Sequence, residues 1–93
     1  MKKYFKDKNI VAREIEGETI LVPIRQRAAD LDSIYTLNEV GSRVWKLIDG
    51  KRTAQEIKNM VLKEFKVSKA QVEKDVARFL AQLEKISAIK SKE

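Results

Sequence analysis

The chain has 93 residues, 43% apolar and 37% charged, with a formal net charge of +6; that is the size of one domain with a modest core, burying roughly 60–65% of the unfolded chain's surface. Cysteine and histidine are both absent, which excludes disulfides, thiol chemistry, imidazole catalysis and the usual nitrogen and sulfur zinc ligands. No apolar run approaches the length that spans a bilayer, and the basic N-terminus Met-Lys-Lys-Tyr-Phe-Lys-Asp-Lys leads into no hydrophobic signal segment, so a cytoplasmic location is expected.

Residues 1–9 have only Tyr4 and Phe5 as anchors and are expected to fray. From Ile10 the pattern changes. Val11, Arg13 and Ile15 alternate with Ala12 and Glu14, and after Glu16-Gly17-Glu18 the run Thr19 to Ile24 is rich in β-branched residues. This is a hairpin signature in which Gly17 supplies positive φ. Pro23 has no N–H for a ladder and belongs at a strand end or an edge. Arg25 to Asp32 reads as a loop, and Ser33 to Thr36 as a third short strand.

The third strand runs straight into a helix. Asn38 is placed to cap it, with Glu39 adding negative charge to the first turn. Val40, Val44, Leu47 and Ile48 then form one apolar stripe, and Asp49-Gly50 is expected to close the helix. Thr53-Ala-Gln-Glu56 is a capping box opening a second helix with Ala54, Ile57, Val61 and Phe65 in a stripe and Met60 beside it. Ser68-Lys-Ala-Gln71 repeats the device. It opens a third, longer helix carrying Val72, Val76, Phe79, Leu80 and Leu83. Ile86 to Ile89 are apolar, but the last four residues, Lys-Ser-Lys-Glu, are expected to end in solvent.

Three strands followed by three helices predict an α+β fold, a winged helix-turn-helix-like domain with a three-stranded antiparallel sheet. One domain over residues 1–93 is expected, with an ordered core at about 10–89; no repeat or linker divides it. The charge is uneven: residues 1–36 hold seven Lys/Arg against six Asp/Glu, and residues 37–93 hold thirteen against eight. The positive field is therefore expected on the helical part, as a steering field for an acidic partner or as a solvated exterior.

No serine or threonine has a plausible base, and the three glycines form no phosphate loop, so no catalytic set, cofactor site or metal site is read. Trp45 lies off the main stripe of its helix and is read as a core or rim tryptophan, with ligand stacking as the alternative. On the third strand Tyr35 and Leu37 share one face, and Ile34 and Thr36 the other. Asp75, beside the apolar stripe, is either a buried cap or a ligand-facing acid. A DNA-binding winged helix is the competing function. It would present Lys69, Gln71, Lys74, Arg78 and Gln82, but Glu73, Asp75 and Glu84 interrupt that face.

The run Leu37-Asn38-Glu39, Val44-Trp45, Leu47-Ile48-Asp49-Gly50-Lys-Arg-Thr53, Glu56-Ile57, then Val72-Glu-Lys-Asp75-Val76 with Phe79-Leu80 and Leu83, resembles the family of the pyrroloquinoline quinone synthesis protein D, PqqD, over about residues 10–89. The resemblance implies a small non-catalytic carrier, without a cofactor, that binds the leader of a ribosomally made precursor peptide (the quinone precursor or a related peptide). It presents that leader to a partner, commonly a radical S-adenosylmethionine (radical SAM) enzyme. In such recognition domains the leader adds as a strand in a groove between the third strand and the third helix. Carried over, the docking edge is Ser33, Ile34, Tyr35, Thr36 and Leu37. Val72, Asp75, Val76 and Phe79 form the wall, with Lys69 or Arg78 at the rim. The same edge could instead self-pair in a homodimer. This chain departs from the family where many members have a glycine and an apolar residue after the last helix: here Ile86-Ser87 stands, and a longer or differently turned exit is expected. The Arg25 to Asp32 loop matches no family feature.

Overall fold

In the computed structural model, which describes residues 1–23 and 35–93, the N-terminus does not fray. It forms a strand, β1 (Lys3–Lys6), anchored from several directions. The Tyr4 N–H donates to the Arg52 carbonyl at 3.3 Å, the Gly50 N–H donates to the Tyr4 carbonyl at 2.6 Å, and the Asp7 N–H donates to the Ala88 carbonyl at 2.9 Å. Tyr4 also packs on the core. The strand's partner lies at the far end of the chain, which is why no local pattern announces it.

The expected hairpin follows: β2 (Ile10–Ile15) pairs antiparallel with β3 (Glu18–Pro23), with Ile15 opposite Glu18. Both loop residues, Glu16 (φ 51°) and Gly17 (φ 83°), are left-handed, the geometry of a two-residue turn that matches strand twist. β4 (Tyr35–Leu37) adds antiparallel to β3, giving the strand order β2-β3-β4, with Leu37 opposite Thr19 and Tyr35 opposite Leu21. The expected loop from Arg25 to Asp32, and the Ser33–Ile34 part of the expected third strand, lie outside the described residues. β2 is exposed along most of its length, and the sheet turns Thr19, Leu21 and Leu37 to the helices.

α1 (Glu39–Leu47) begins as anticipated, with the Asn38 side-chain oxygen accepting from the Gly41 N–H at 2.8 Å. Its end differs. Ile48 is already extended (φ −82°, ψ 99°), and Gly50 (φ 81°) turns its N–H toward β1 rather than closing the helix. Trp45, off the stripe in sequence, is 3% exposed, with the Lys6 ammonium of β1 5.0 Å from its ring centroid.

α2 (Ala54–Glu64) has the full capping box. The Glu56 N–H donates to the Thr53 hydroxyl at 3.2 Å, and the Thr53 N–H donates to the Glu56 carboxylate at 3.0 Å. The bond from the Thr53 N–H, helped by the Thr53 hydroxyl beside it, holds the Glu56 carboxyl below its ordinary range. α3 (Lys69–Lys85) has half of such a box: the Ser68 hydroxyl accepts from the Gln71 N–H at 3.2 Å, but the Gln71 amide donates to Asp75 at 2.8 Å instead of reaching back.

The exit from α3 is a Schellman turn. The Ser87 N–H donates to the Glu84 carbonyl at 3.0 Å and the Ala88 N–H to the Leu83 carbonyl at 2.9 Å, with Ser87 left-handed (φ 62°) where glycine is usual. The chain then returns as β5 (Ile89–Lys92), paired with β1 in a second, two-stranded sheet. The last residues form a strand, with Ile89 2% exposed at its start and Lys90, Lys92 and Glu93 exposed to solvent as expected. The core joins β3 and β4 to all three helices and to Ala88 and Ile89.

Candidate functional site

The sheet order leaves β4 at an edge, and among the described residues no strand pairs with its outer side. A strand edge presents N–H and C=O groups at regular spacing, a template for another extended chain. Beside it runs a groove of about 440 Å³ between β4 and the C-terminal half of α3, lined by Tyr35, Thr36, Leu37, Asn38, Phe79, Gln82, Leu83, Lys85 and Ile86. A second hollow of about 270 Å³ continues between the start of α1 and α3, with Val40, Gly41, Val44, Asp75, Val76 and Arg78 in its walls. Both share Asn38, Phe79 and Gln82.

The local physics that builds this groove is plain. Leu37, 5% exposed, anchors β4 to the core, while Tyr35 on the same face stays 37% exposed beyond the helices' cover. On α3, Asp75, Phe79, Gln82 and Ile86 follow one another at four, three and four residues, a flank beside the fully buried stripe of Val72, Val76, Leu80 and Leu83. Phe79 is half-buried and separates the two compartments. Gly41 stands beside it in the first turn of α1: a Cβ there would make ordinary contact with the Phe79 ring at 3.5 Å but would crowd the capping oxygen of Asn38 at 3.2 Å.

Tyr35, Thr36, Leu37, Asp75, Val76, Arg78 and Phe79 therefore come together around one groove. Lys69 and Val72 do not line it. Val72 is 4% exposed and, with Lys69, borders a shallow depression against Gln55, Lys58, Asn59 and Leu62 of α2. α3 has a second neighbour on that side, and the first turn of its stripe serves it. Ser33 and Ile34 lie outside the described residues. Asp75 is neither cap nor buried acid: half-exposed, it accepts from Gln71 and borders the second hollow. Arg78 and Lys85 sit exposed at the rim, with no carboxylate within ion-pair reach among the described residues.

Asn38, Gly41, Gln82, Lys85 and Ile86 were not singled out for the site. The signal was present in part: a glycine in a helix with no turn to make, and a polar-apolar flank at helical spacing. Among the described residues, no group of His, Cys, Asp or Glu is arranged to hold a metal ion and no helix is long and apolar enough to cross a membrane.

Comparison with known proteins places this geometry. The family model described as "Coenzyme PQQ synthesis protein D (PqqD)" matches residues 18–89. No curated protein matches the chain. Two solved structures share the fold with TM-scores of 0.76. One is TbiB1 in complex with the TbiA(beta) leader peptide, 24% identical over 92% of this chain and 94% of that one. The other is a lasso peptide synthetase B1 complexed with the leader peptide, 12% identical over 95% of this chain and 98% of that one.

Proposed function

Because the chain belongs to the PqqD family, we propose that it is a carrier for a ribosomally made precursor peptide, binding the peptide's leader and presenting it to a maturation enzyme. The leader adds as a strand along the edge of β4 (Tyr35–Leu37) and drops alternate side chains into the groove between β4 and α3. Main-chain hydrogen bonds supply affinity, and the groove around Phe79 supplies selection. The supporting observation is the juxtaposition of a strand edge with a groove of about 440 Å³ that has an apolar floor at Leu37, Phe79, Leu83 and Ile86. Two structural neighbours that are leader-peptide complexes add support.

In this reading the chain does no chemistry of its own, needs no cofactor and works in the cytoplasm, where its peptide is made. The receiving enzyme is of the radical SAM type, and the peptide is the quinone precursor or a relative. A short strand with a few anchors corresponds to roughly micromolar affinity, about −8 kcal/mol.

The test is a titration of the isotopically labelled chain with leader peptides from precursors encoded beside its gene. Amide shifts at Tyr35–Leu37 and around Phe79, Gln82 and Ile86 are the expected result. No shift there with any such leader would overturn the proposal. Tight, steeply salt-dependent DNA binding through the exposed face of α3 would replace it with the winged-helix reading, and concentration-dependent self-association through β4 with the homodimer.

A further inference from the structure

The positive field is not only on the helices. The pairing of β1 with β5 gathers lysines from the two ends of the chain onto one ribbon, in the register Lys3 opposite Lys92, Tyr4 opposite Ser91, Phe5 opposite Lys90 and Lys6 opposite Ile89. Strand alternation turns Ile89 and Tyr4 to the core and leaves Lys3, Lys90 and Lys92 on the outward face with Phe5. Alongside lies a hollow of about 270 Å³ lined by Phe5, Lys6, Asp7, Lys8, Asn9 and Lys90.

The only carboxylate lining that hollow is already engaged. One Asp7 oxygen accepts from the Asn9 N–H at 2.7 Å, and the other stands 3.8 Å from the Lys90 ammonium, leaving the side chain 13% exposed. Nearby Asp49 is bound to Arg52, and Glu56, whose carboxylate feels the Lys3 charge, is engaged in the α2 cap. Among the described residues, Lys3, Lys8 and Lys92 have no carboxylate within 4.0 Å. Like charges directly opposite one another destabilise a strand pair, so the facing Lys3 and Lys92 are an arrangement that solubility alone does not require; mixed signs would serve it better. The inner edge of β1 is covered by the segment from Gly50 to Thr53.

We propose that the outward face of the β1–β5 ribbon is a second docking surface, which takes a carboxylate-rich surface of a protein partner. Acidic side chains would relieve the Lys3–Lys92 repulsion and enter the hollow beside Phe5. The ribbon shares no residue with the β4–α3 groove, so peptide and partner can be held at once. The inference rests on the ribbon's own geometry and stands or falls separately from the leader-peptide reading.

The test titrates the labelled full chain with an oligoglutamate peptide, with oligoglutamine and a single-stranded oligonucleotide as controls. Shifts are expected at Lys3–Lys8 and Ile89–Lys92 and not at Tyr35–Leu37 or Phe79. The emission of Trp45, the chain's single tryptophan, should change as Lys6 is drawn from its ring. Lys3→Gln combined with Lys92→Gln should weaken binding about three- to tenfold, yet melt no lower than the parent because the opposed charges are gone. Lys63→Gln with Lys66→Gln, exposed at the end of α2, should leave affinity unchanged. Shifts spread over α2 and α3, entry of the acidic peptide into the β4–α3 groove, equal loss from the α2 pair, or tighter binding of the oligonucleotide would each overturn the proposal.

Discussion

Phe79 and Leu80 are neighbours on α3 with opposite duties, and truncating each separates groove from core. Leu80 is 3% exposed in the central cluster, so Leu80→Ala should remove about 2–5 kcal/mol of stability, the usual range for a buried leucine. Phe79 is half-buried between the two compartments of the groove. A fully buried phenylalanine would lose about 3–5 kcal/mol on truncation; with much of its ring facing open groove, Phe79→Ala should lose only about 1–2 kcal/mol by area removed from water. Its effect on leader binding should be larger in kind. Removing the floor under an anchored side chain should weaken Kd about five- to thirtyfold, whereas Leu80→Ala should change Kd less than about threefold once the folded fraction is allowed for. Urea denaturation gives the stabilities, and calorimetric titration with a leader peptide gives the affinities. If Phe79→Ala loses about 3 kcal/mol or more while Kd is unchanged, the ring is core and the groove assignment fails.

Ser87→Gly should stabilise the chain by about 1 kcal/mol, because the Schellman position is left-handed and a Cβ is penalised there; a rise in melting temperature of about 4–8 °C would register it. Thr53→Ala should cost about 1 kcal/mol through loss of the α2 cap. The depressed Glu56 carboxyl adds a pH signature: its contribution is present above the ordinary glutamate range and is lost as pH falls through the lower folded-state value, so Glu56→Gln should flatten the acid limb of the stability profile. Ile89→Ala should destabilise by about 2–5 kcal/mol and speed hydrogen exchange at Asp7, whose N–H donates to Ala88 beside it. A solvated tail would show neither effect.

Features governed by neighbours in sequence were legible. The Glu16-Gly17 turn, the Asn38, Thr53 and Ser68 caps and the buried stripe of α3 each follow from residues within a turn or two, where dihedral preference and hydrogen-bonding reach decide the outcome. The groove was partly legible, because Phe79, Val76 and Asp75 recur at helical spacing. Lys69 and Val72 lie outside the groove, facing α2; periodicity locates an apolar face without saying which neighbour each turn of it meets.

The sequence by itself determined the α+β class, the three caps, the hairpin and the family, since all are set by local spacing and ordered motifs. Only the tertiary structure decided that β1 pairs with β5, that Trp45 is buried with the Lys6 ammonium of that ribbon over its ring, and that Gly50 serves β1 instead of α1. Each depends on elements distant along the chain, whose pairing is chosen by the total burial and backbone hydrogen bonding of the folded molecule and leaves no local trace in a run such as Lys-Tyr-Phe-Lys.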